Sequence, residues 1–348
     1  MSIVVLKLPD VKQSTESRPK ACPYCQGETF QRWGKVSKPV KDNRIEQVRV
    51  YRYQCNHCRR TFRHFPEGVD RADQTQRMRK LVAICWVLGL SLRGVGMVLS
   101  AFGVSLSHMS VWRDMQEQAG LLERRRRWQG ARVLGVDGLY PLGWGKKQPV
   151  LIAVDLGEGQ PVAIGHLDEG NPQAVRRFLQ PLVQRLGVSV IVTDDLSSFR
   201  TVADKLGLEH QVCQFHVRRW VGRTLHELKD TVPKEWLWVL DEIKRLLSEL
   251  PPEGSRRLFE LWKQIPERRT GQAGERSPLE LLRNLLIRLS EHWATYRLFD
   301  WQKDVPWTNN GTEQVIGKMK MRSRTVRGYK SWPGMRAALM LTGSGIAW

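Results

Sequence analysis

Leu134-Gly135-Val136-Asp137-Gly138-Leu139 and Val190-Ile191-Val192-Thr193-Asp194-Asp195 are the stretches whose reading decides the fold. Each is an apolar run with strand-forming residues that carries a carboxylate inside it or at its end. A lone carboxylate among apolar neighbours is costly to bury without donors or a cation, and a metal would remove that cost. Around these two runs the chain alternates in a definite order. Strand-like segments cover residues 132–139, 150–156 and 162–167, separated by turns containing Gly or Pro. A helical stretch over 172–186 follows, then a buried-strand run at 188–193, a helix at 197–206 and a short strand around 210–215.

Three meandering strands followed by two that alternate with helices is the order of the ribonuclease H-like fold. In that order the first and fourth strands are neighbours, so Asp137 and Asp194 converge. Asp195 has a simpler reading, as a cap ahead of Leu196-Ser197, whereas Asp194 follows the apolar run directly and is the better ligand. A third acid, Glu313, lies in Trp307-Thr-Asn-Asn-Gly-Thr-Glu313. It has two readings. Asn310 with Glu313 three positions on makes a capping box. Alternatively, one helix brings Glu313 together with Lys318 and Lys320, ahead of Arg322, Arg324 and Arg327, so that an acid and a row of phosphate-binding cations meet.

Upstream, Cys22-Pro-Tyr-Cys25 and Cys55-Asn-His-Cys58 are two tight turns, each able to aim two thiolates at one tetrahedral ion. The 29 residues between the pairs exceed the usual spacing of roughly 15–20, and strand-like runs at 28–35 and 45–54 fill the interval. A zinc ribbon with one structural Zn2+ is expected, with His57 outside the filled shell. From 75 to 119 the period becomes helical. Met78, Leu81, Val82, Cys85 and Leu88 share one face, then Val95, Val98, Leu99 and Phe102, then Val111, Trp112 and Met115. Ser91 can cap the second helix, and Ser105 or Ser107 the third. Three short helices with Gly103 in the turn fit either a helix-turn-helix or a plain helical bundle. In the first case Ser107, His108, Ser110 and Arg113 face DNA.

The 348 residues carry 56 Lys+Arg against 35 Asp+Glu, a net charge of +21 that favours a polyanionic partner. Residues 1–130 hold a net +13, and residues 314–348 have seven basic and no acidic side chains, Lys330 and Arg336 among them. Arg124, Arg125, Arg126 and Arg127 form a third cluster, read as a basic linker. Repeated basic patches hold phosphate backbones efficiently through counterion release. No run approaches the roughly 20 apolar residues of a membrane helix, and the first residues show no secretory leader. A soluble, cytoplasmic protein is expected, nucleoid-associated when bound to DNA. Residues 218–306 read as mainly helical, with tryptophans enough for a core of their own.

Gly-Val-Asp137, Thr-Asp194, Cys213-Gln-Phe-His216 and Asn309-Asn310-x-x-Glu313 followed by Lys-x-Lys-x-Arg together resemble the DDE transposases of bacterial insertion sequences, in particular the mutator-like branch. The resemblance runs from about residue 132 onward. It implies that Asp137, Asp194 and Glu313 are the catalytic acids and Mg2+ ligands, although the family's frequent Asp-Gly is Asp194-Asp195 here. Three clustered carboxylates can hold two Mg2+ ions, with Mn2+ as a substitute, roughly 3.5–4 Å apart for in-line phosphoryl transfer. Cys213 and His216 are too few for a closed zinc shell, which leaves a structural or DNA-positioning role, or a phosphate contact beside the acids.

The expected protein is a multidomain α+β chain. It comprises a zinc ribbon (1–70), a helix-turn-helix with basic linker (71–129), and a ribonuclease H-like α/β catalytic core (130–217 and 307–348) interrupted by an all-α insertion (218–306). Its expected partners are double-stranded DNA, as transposon ends and target, and further copies of itself. Two other functions stay open: a DNA-binding regulator with an inactive core, and a structure-specific nuclease that cuts without joining.

Overall fold

The computed structural model describes residues 7–15, 17–126, 130–141, 149–267, 277–325 and 329–345. They are mixed α and β and divide into two units. One holds the first 125 residues and those from Lys318 onward; the other holds most of Arg126–Gly317.

In the first unit, strands β1 (Phe30–Pro39), β2 (Gln47–Cys55) and β3 (Thr61–His64) form an antiparallel sheet with β2 in the centre. β3 was not expected; its four residues are too few to show an alternating pattern. Helices α1 (Gln76–Val87), α2 (Leu92–Ser100) and α3 (His108–Arg126) follow. Side-chain oxygens start all three. Thr75 accepts from the Met78 N–H, Ser91 from Gly94 and Ser107 from Ser110. The expected inward face holds in part. Met78, Val82, Val95, Leu99, Val111 and Met115 are buried, but Leu81, Cys85 and Trp112 are only half-buried, Val98 is 37% exposed within α2, and Leu88 and Phe102 are 65% and 61% exposed. Both lie where a helix gives way to its loop, so the helical period no longer fixes their direction. Arg77 and Arg79 are buried in ion pairs, Arg77 with Asp42 and Arg79 with Asp70 and Glu117. Part of the basic charge of the front third is therefore internal.

The second unit is built on a five-stranded sheet of β4 (Val133–Leu139), β5 (Val150–Asp155), β6 (Gln160–His166), β7 (Val190–Thr193) and β8 (Glu209–Val212). Their spatial order is β6-β5-β4-β7-β8. The first three strands are antiparallel and the last two join in parallel, so the first and fourth strands are neighbours, as their sequence order predicted. Helix α4 (Pro172–Leu186) crosses from β6 to β7. Asn171 caps its start, and Gly187 at φ 71° ends it in the left-handed region that glycine tolerates. Helix α5 (Ser197–Leu206) joins β7 to β8. The residue before it is Leu196, with no side-chain cap, so the capping role expected of Asp195 is not what the structure shows. β8 ends at Val212, and Phe215 belongs already to α6 (Gln214–Lys229) rather than to a strand.

α6, α7 (Leu237–Glu249), α8 (Gly254–Gln264) and α9 (Pro278–Glu291) pack around a chiefly leucine core that includes Leu225, Leu240, Leu258, Leu282, Leu286 and Leu289. Trp293 is buried there and Trp220, Trp236 and Trp262 line its edge, whereas Trp238, Trp301 and Trp307 are at least half exposed. Tryptophan thus borders this core more than it fills it. Helix α10 (Asn310–Thr325) runs from this unit into residues grouped with the first, where α11 (Trp332–Ser344) packs on α1.

Candidate active site

The sheet register sets the first two acids. Gly135 of β4 pairs with Val192 of β7 in parallel, and Asp137 and Asp194 each follow two residues on. Asp137 lies within β4 and Asp194 is the residue after β7, at equivalent distances along the chain from that pair. Asp194 is raised to about 7, first by burial, then by repulsion from Asp137 and Glu169, against a lowering by His216. Its Oδ1 is shut off from solvent with no hydrogen-bond partner. Asp137 Oδ1 accepts the Gly138 N–H at 2.7 Å.

Asp195, the adjacent acid, faces elsewhere. It pairs with Arg200 of α5 and, at 2.6 Å, with Arg288 of α9, whose guanidinium lies 4.3 Å from the centre of the Trp220 ring. Only 3% of its side chain is exposed. Asp195 therefore ties α9 to α5, while Asp194 has acids for neighbours.

The third acid arrives on α10, whose first turn lies against β4. Asn309 Nδ2 donates to the Val136 carbonyl at 3.2 Å, and Thr312 Oγ1 donates to Asn309 Oδ1 at 2.5 Å. This approach needs Gly135, because a Cβ there would overlap Thr312 Oγ1. The helix opens with Asn309 before its first residue, so Thr312, not Glu313, stands three positions after the cap. The capping box expected of Asn310 and Glu313 is displaced by one residue, which leaves the Glu313 carboxylate outside the cap. That carboxylate lies 3.8 Å from His216 Nε2.

Cys213 and His216 join these elements. The Asn309 N–H donates to Cys213 Sγ at 3.2 Å, and the Gln214 N–H to the Trp307 carbonyl at 3.1 Å. The start of α6 is thus stitched to the loop before α10. The Cys213 thiol beside it raises His216, burial opposes this, and Asp137 and Asp194 add to the rise. His216 thus lies next to Glu313, as in the alternative that set it close to the acids in contact with phosphate; the phosphate contact itself is an expectation.

One acid was missed. Glu169, in the turn between β6 and α4, is raised by burial and by Asp137 and Asp168, while a hydrogen bond from Tyr140 lowers it. Nothing local marks it; its Oε2 lies against Gly138 of β4.

In the first unit, Cys22, Cys25, Cys55 and Cys58 bring their sulfurs within 4.8 Å of one another, the one such group of potential metal ligands among the described residues. Cys22–Cys58 and Cys25–Cys55 are 3.7 and 3.6 Å apart. A tetrahedron with metal–sulfur bonds of about 2.3 Å has edges of about 3.8 Å, so the quartet fits one ion. The Cys58 N–H brings Cys55 down to about 6. Cys25 receives the Gly27 N–H, which lowers it, yet burial and three neighbouring sulfurs push it up to about 12. The three acids Asp137, Asp194 and Glu313 do not close to the same spacing.

Of the residues read as DNA contacts, Ser107, His108, Arg113, Arg124, Arg125, Lys318, Lys320 and Lys330 are exposed. Arg322 is not. It is 5% exposed, donates to the carbonyls of Gly89 and Leu90 at 2.7 and 2.8 Å, and stacks 4.3 Å from the Trp86 ring centre. Its role is to seal the end of α1, and the phosphate contact expected of it is withdrawn. Arg127, Arg327 and the side chains of Arg126 and Arg324 lie outside the described residues.

Comparison with known proteins points to the transposases of insertion elements. Residues 171–337, just under half of the chain, match the model described as the Transposase IS66 family. The segment runs through Asp194, Cys213, His216 and Glu313 and begins after Asp137 and the cysteines. A relative from Methanobrevibacter smithii, "Insertion element ISM1 uncharacterized 48.3 kDa protein", is 21% identical over 216 residues, covering 60% of this chain and 53% of that protein. The chain thus spans about half the length of this relative. The resemblance to transposases of insertion sequences holds, and the mutator-like branch is not confirmed by these matches. The crystal structure of the catalytic core domain of BIV integrase aligns at 17% identity over 45% of this chain and 96% of that one. Its TM-score is 0.21, too low to bear on the fold. Among the described residues no helix is long and apolar enough to cross a membrane.

Proposed function

We propose that the protein is a DDE-type transposase that binds the terminal inverted repeats of its own element, cleaves the DNA strand and transfers it to a target. The observation that supports the reading is that Asp137 and Asp194 each stand two residues beyond the paired Gly135 and Val192 of neighbouring strands, with Glu313 of α10 3.8 Å from His216. The donor set fits Mg2+: all ligands are hard carboxylate oxygens, and Asp194 Oδ1 is buried without a partner. When bound there, two Mg2+ ions supply activation of the attacking oxygen and stabilisation of the leaving oxygen. Asp137 and Asp194 hold fixed positions because their strands are hydrogen-bonded to each other, and Glu313 is set by the Asn309 contacts to β4 and Cys213. Water as nucleophile gives cleavage; a DNA 3'-hydroxyl gives joining.

The cysteine quartet is proposed to hold one structural zinc. We assign α1–α3 as a helix-turn-helix with Ser107, His108 and Arg113 toward the bases, and Arg124, Arg125, Lys318, Lys320 and Lys330 as phosphate contacts. The five-part division given above, assembly of two or more copies on DNA, and nucleoid association belong to the same reading. The test is Mg2+-dependent cleavage of DNA carrying the element's ends. Asp137→Asn is expected to abolish it, and retained cleavage would overturn the assignment. Joining of precut ends separates a transposase from a nuclease of the same fold.

A further inference from the structure

β2 and β3 set two arginines side by side. Arg52 pairs directly with Arg63 across the antiparallel register, and both side chains are exposed. Like charges at directly opposite positions of a sheet repel and lower stability. Arg71, exposed in the segment between β3 and α1, lines the same open cleft, together with Tyr24, Thr61 and Phe65. That segment is tied to the sheet. Lys38 Nζ of β1 donates to the Ala72 carbonyl at 2.7 Å, and the Lys41 N–H to the Asp73 carbonyl at 2.8 Å.

No acidic side chain lines the cleft, and among the described residues none of the three arginines pairs with a carboxylate. Acids of the same unit are engaged elsewhere. Asp70, the residue before Arg71, pairs with Arg79 and accepts the Ala72 N–H, while Asp42 pairs with Arg77 and Glu67 with Lys12. Arginine thus serves this unit in two ways: Arg77 and Arg79 are buried and neutralised, whereas Arg52, Arg63 and Arg71 stand in solvent with their charge uncompensated. Three guanidinium forks and the exposed Thr61 hydroxyl suit phosphate oxygens. Unpaired bases bind chiefly by stacking on aromatic rings, and the rings here are already covered. Phe62 is buried, Phe65 is half-buried, and Tyr24 carries the Arg60 guanidinium 5.3 Å from its ring centre. The backbone of a duplex therefore fits better than a single strand.

We propose that Arg52, Arg63 and Arg71 form a further DNA contact, a cleft on the β2–β3 face that grips the phosphate backbone of duplex DNA without reading its bases. The choice of partner rests on the reading of the chain as a DNA-binding transposase. A phosphate seated between Arg52 and Arg63 turns their mutual repulsion into two attractions.

The test is binding of the full chain, loaded with zinc and without Mg2+, to a duplex carrying the element's ends, an unrelated duplex and a single strand, read by fluorescence anisotropy over a range of salt. The triple variant Arg52→Ala, Arg63→Ala, Arg71→Ala is expected to bind both duplexes at least about ten-fold more weakly and to lower the slope of log K against log salt by about two to three. The loss is the same for both sequences, because backbone contacts carry no base information. Lysine at the three positions is expected to restore most of the slope. The melting curve of the alanine variant should stay at or above that of wild type, as relief of the Arg52–Arg63 repulsion requires. If that variant does not fold, Arg52→Ala alone, with a slope lower by about one, decides. The exposed Arg176, Arg177 and Arg185 of α4, replaced together by alanine, change the net charge equally and are expected to leave the slope unchanged. A wild-type slope in the cleft variant, an equal fall in the α4 variant, or a loss confined to the single strand overturns the proposal. Failure of the wild-type protein to bind either duplex overturns the DNA-binding reading itself.

Discussion

Asp194 and Asp195 are adjacent, alike in chemistry and opposite in circumstance, so neutralising each should move stability in opposite directions. In the folded chain Asp194 keeps its proton up to about pH 7, against an ordinary value of 3.8, because it is buried beside Asp137 and Glu169. Between those limits the folded state binds more protons than the unfolded one. Stability therefore falls as pH rises through the window and stays low above it. The gap corresponds to a penalty on the order of 4 kcal/mol at pH 8. Asp194→Asn removes it, so the Mg2+-free protein should be more stable than wild type at pH 8, by as much as about 4 kcal/mol, and close to wild type at pH 4. Strand cleavage should be lost at both.

Asp195→Asn leaves Arg200 and Arg288 without their carboxylate. Removing one partner of a buried pair costs about 3–5 kcal/mol. Because Arg288 is 41% exposed, about 2–3 kcal/mol is the better figure here. Urea denaturation of both variants at pH 5 and pH 8 reads the two effects. A loss of stability in Asp194→Asn at pH 8, or equal pH dependence in that variant and wild type, would refute the placing of Asp194 among the acids.

Arg322→Ala should cost about 2–4 kcal/mol through the two abandoned carbonyls and the lost Trp86 stack, while the salt dependence of DNA binding stays as in wild type. Lys318→Ala or Lys320→Ala should do the reverse, lowering the slope of log K against log salt by about one without moving the melting temperature. Cys25→Ser should release the bound metal, read by elemental analysis, and unfold β1–β3 together, since such a site and its fold form as one. Gly135→Ala should force α10 away from β4 at about 1–3 kcal/mol and reduce cleavage by more than that stability loss explains. Wild-type cleavage in that variant would show that the α10 contact does not place Glu313.

The parts of the fold that were legible are those in which short-range pattern and long-range packing agree. Helix α4 begins and ends where Asn171-Pro172 and Gly187 say it should, and α5 ends at Gly207 in the same left-handed form. The strand order of the sheet followed from the sequence of strands and helices alone. The start of α6 did not. Val212-Cys213-Gln214-Phe215 continues an apolar run, so local propensity extends the strand. In the structure the Gln214 N–H turns to the Trp307 carbonyl and the Val217 N–H to Cys213, starting a helix. A partner more than 90 positions away decides that boundary, and no periodicity reports it.

The same division runs through the site. Asp137 and Asp194 could be found because they stand in or at the end of apolar runs, where a carboxylate is conspicuous. Asp194 was preferred over Asp195 because it follows the apolar run directly; what the sequence did not show is how Asp195 is taken up, because that depends on cations elsewhere in the chain. Asp195 is neutralised by Arg200, five residues on, and by Arg288 from a distant helix. Glu169 carries no local mark at all; it is admitted because Gly138 has no side chain. A chain with a net charge of +21 has enough Lys and Arg to pair every acid it owns. At Asp194 the shifting neighbours are instead three acids and one histidine, so repulsion there goes largely uncompensated by this chain's own charges. The excess positive charge lies elsewhere in the sequence, in residues 1–130 and in residues 314–348, which have no acidic side chain.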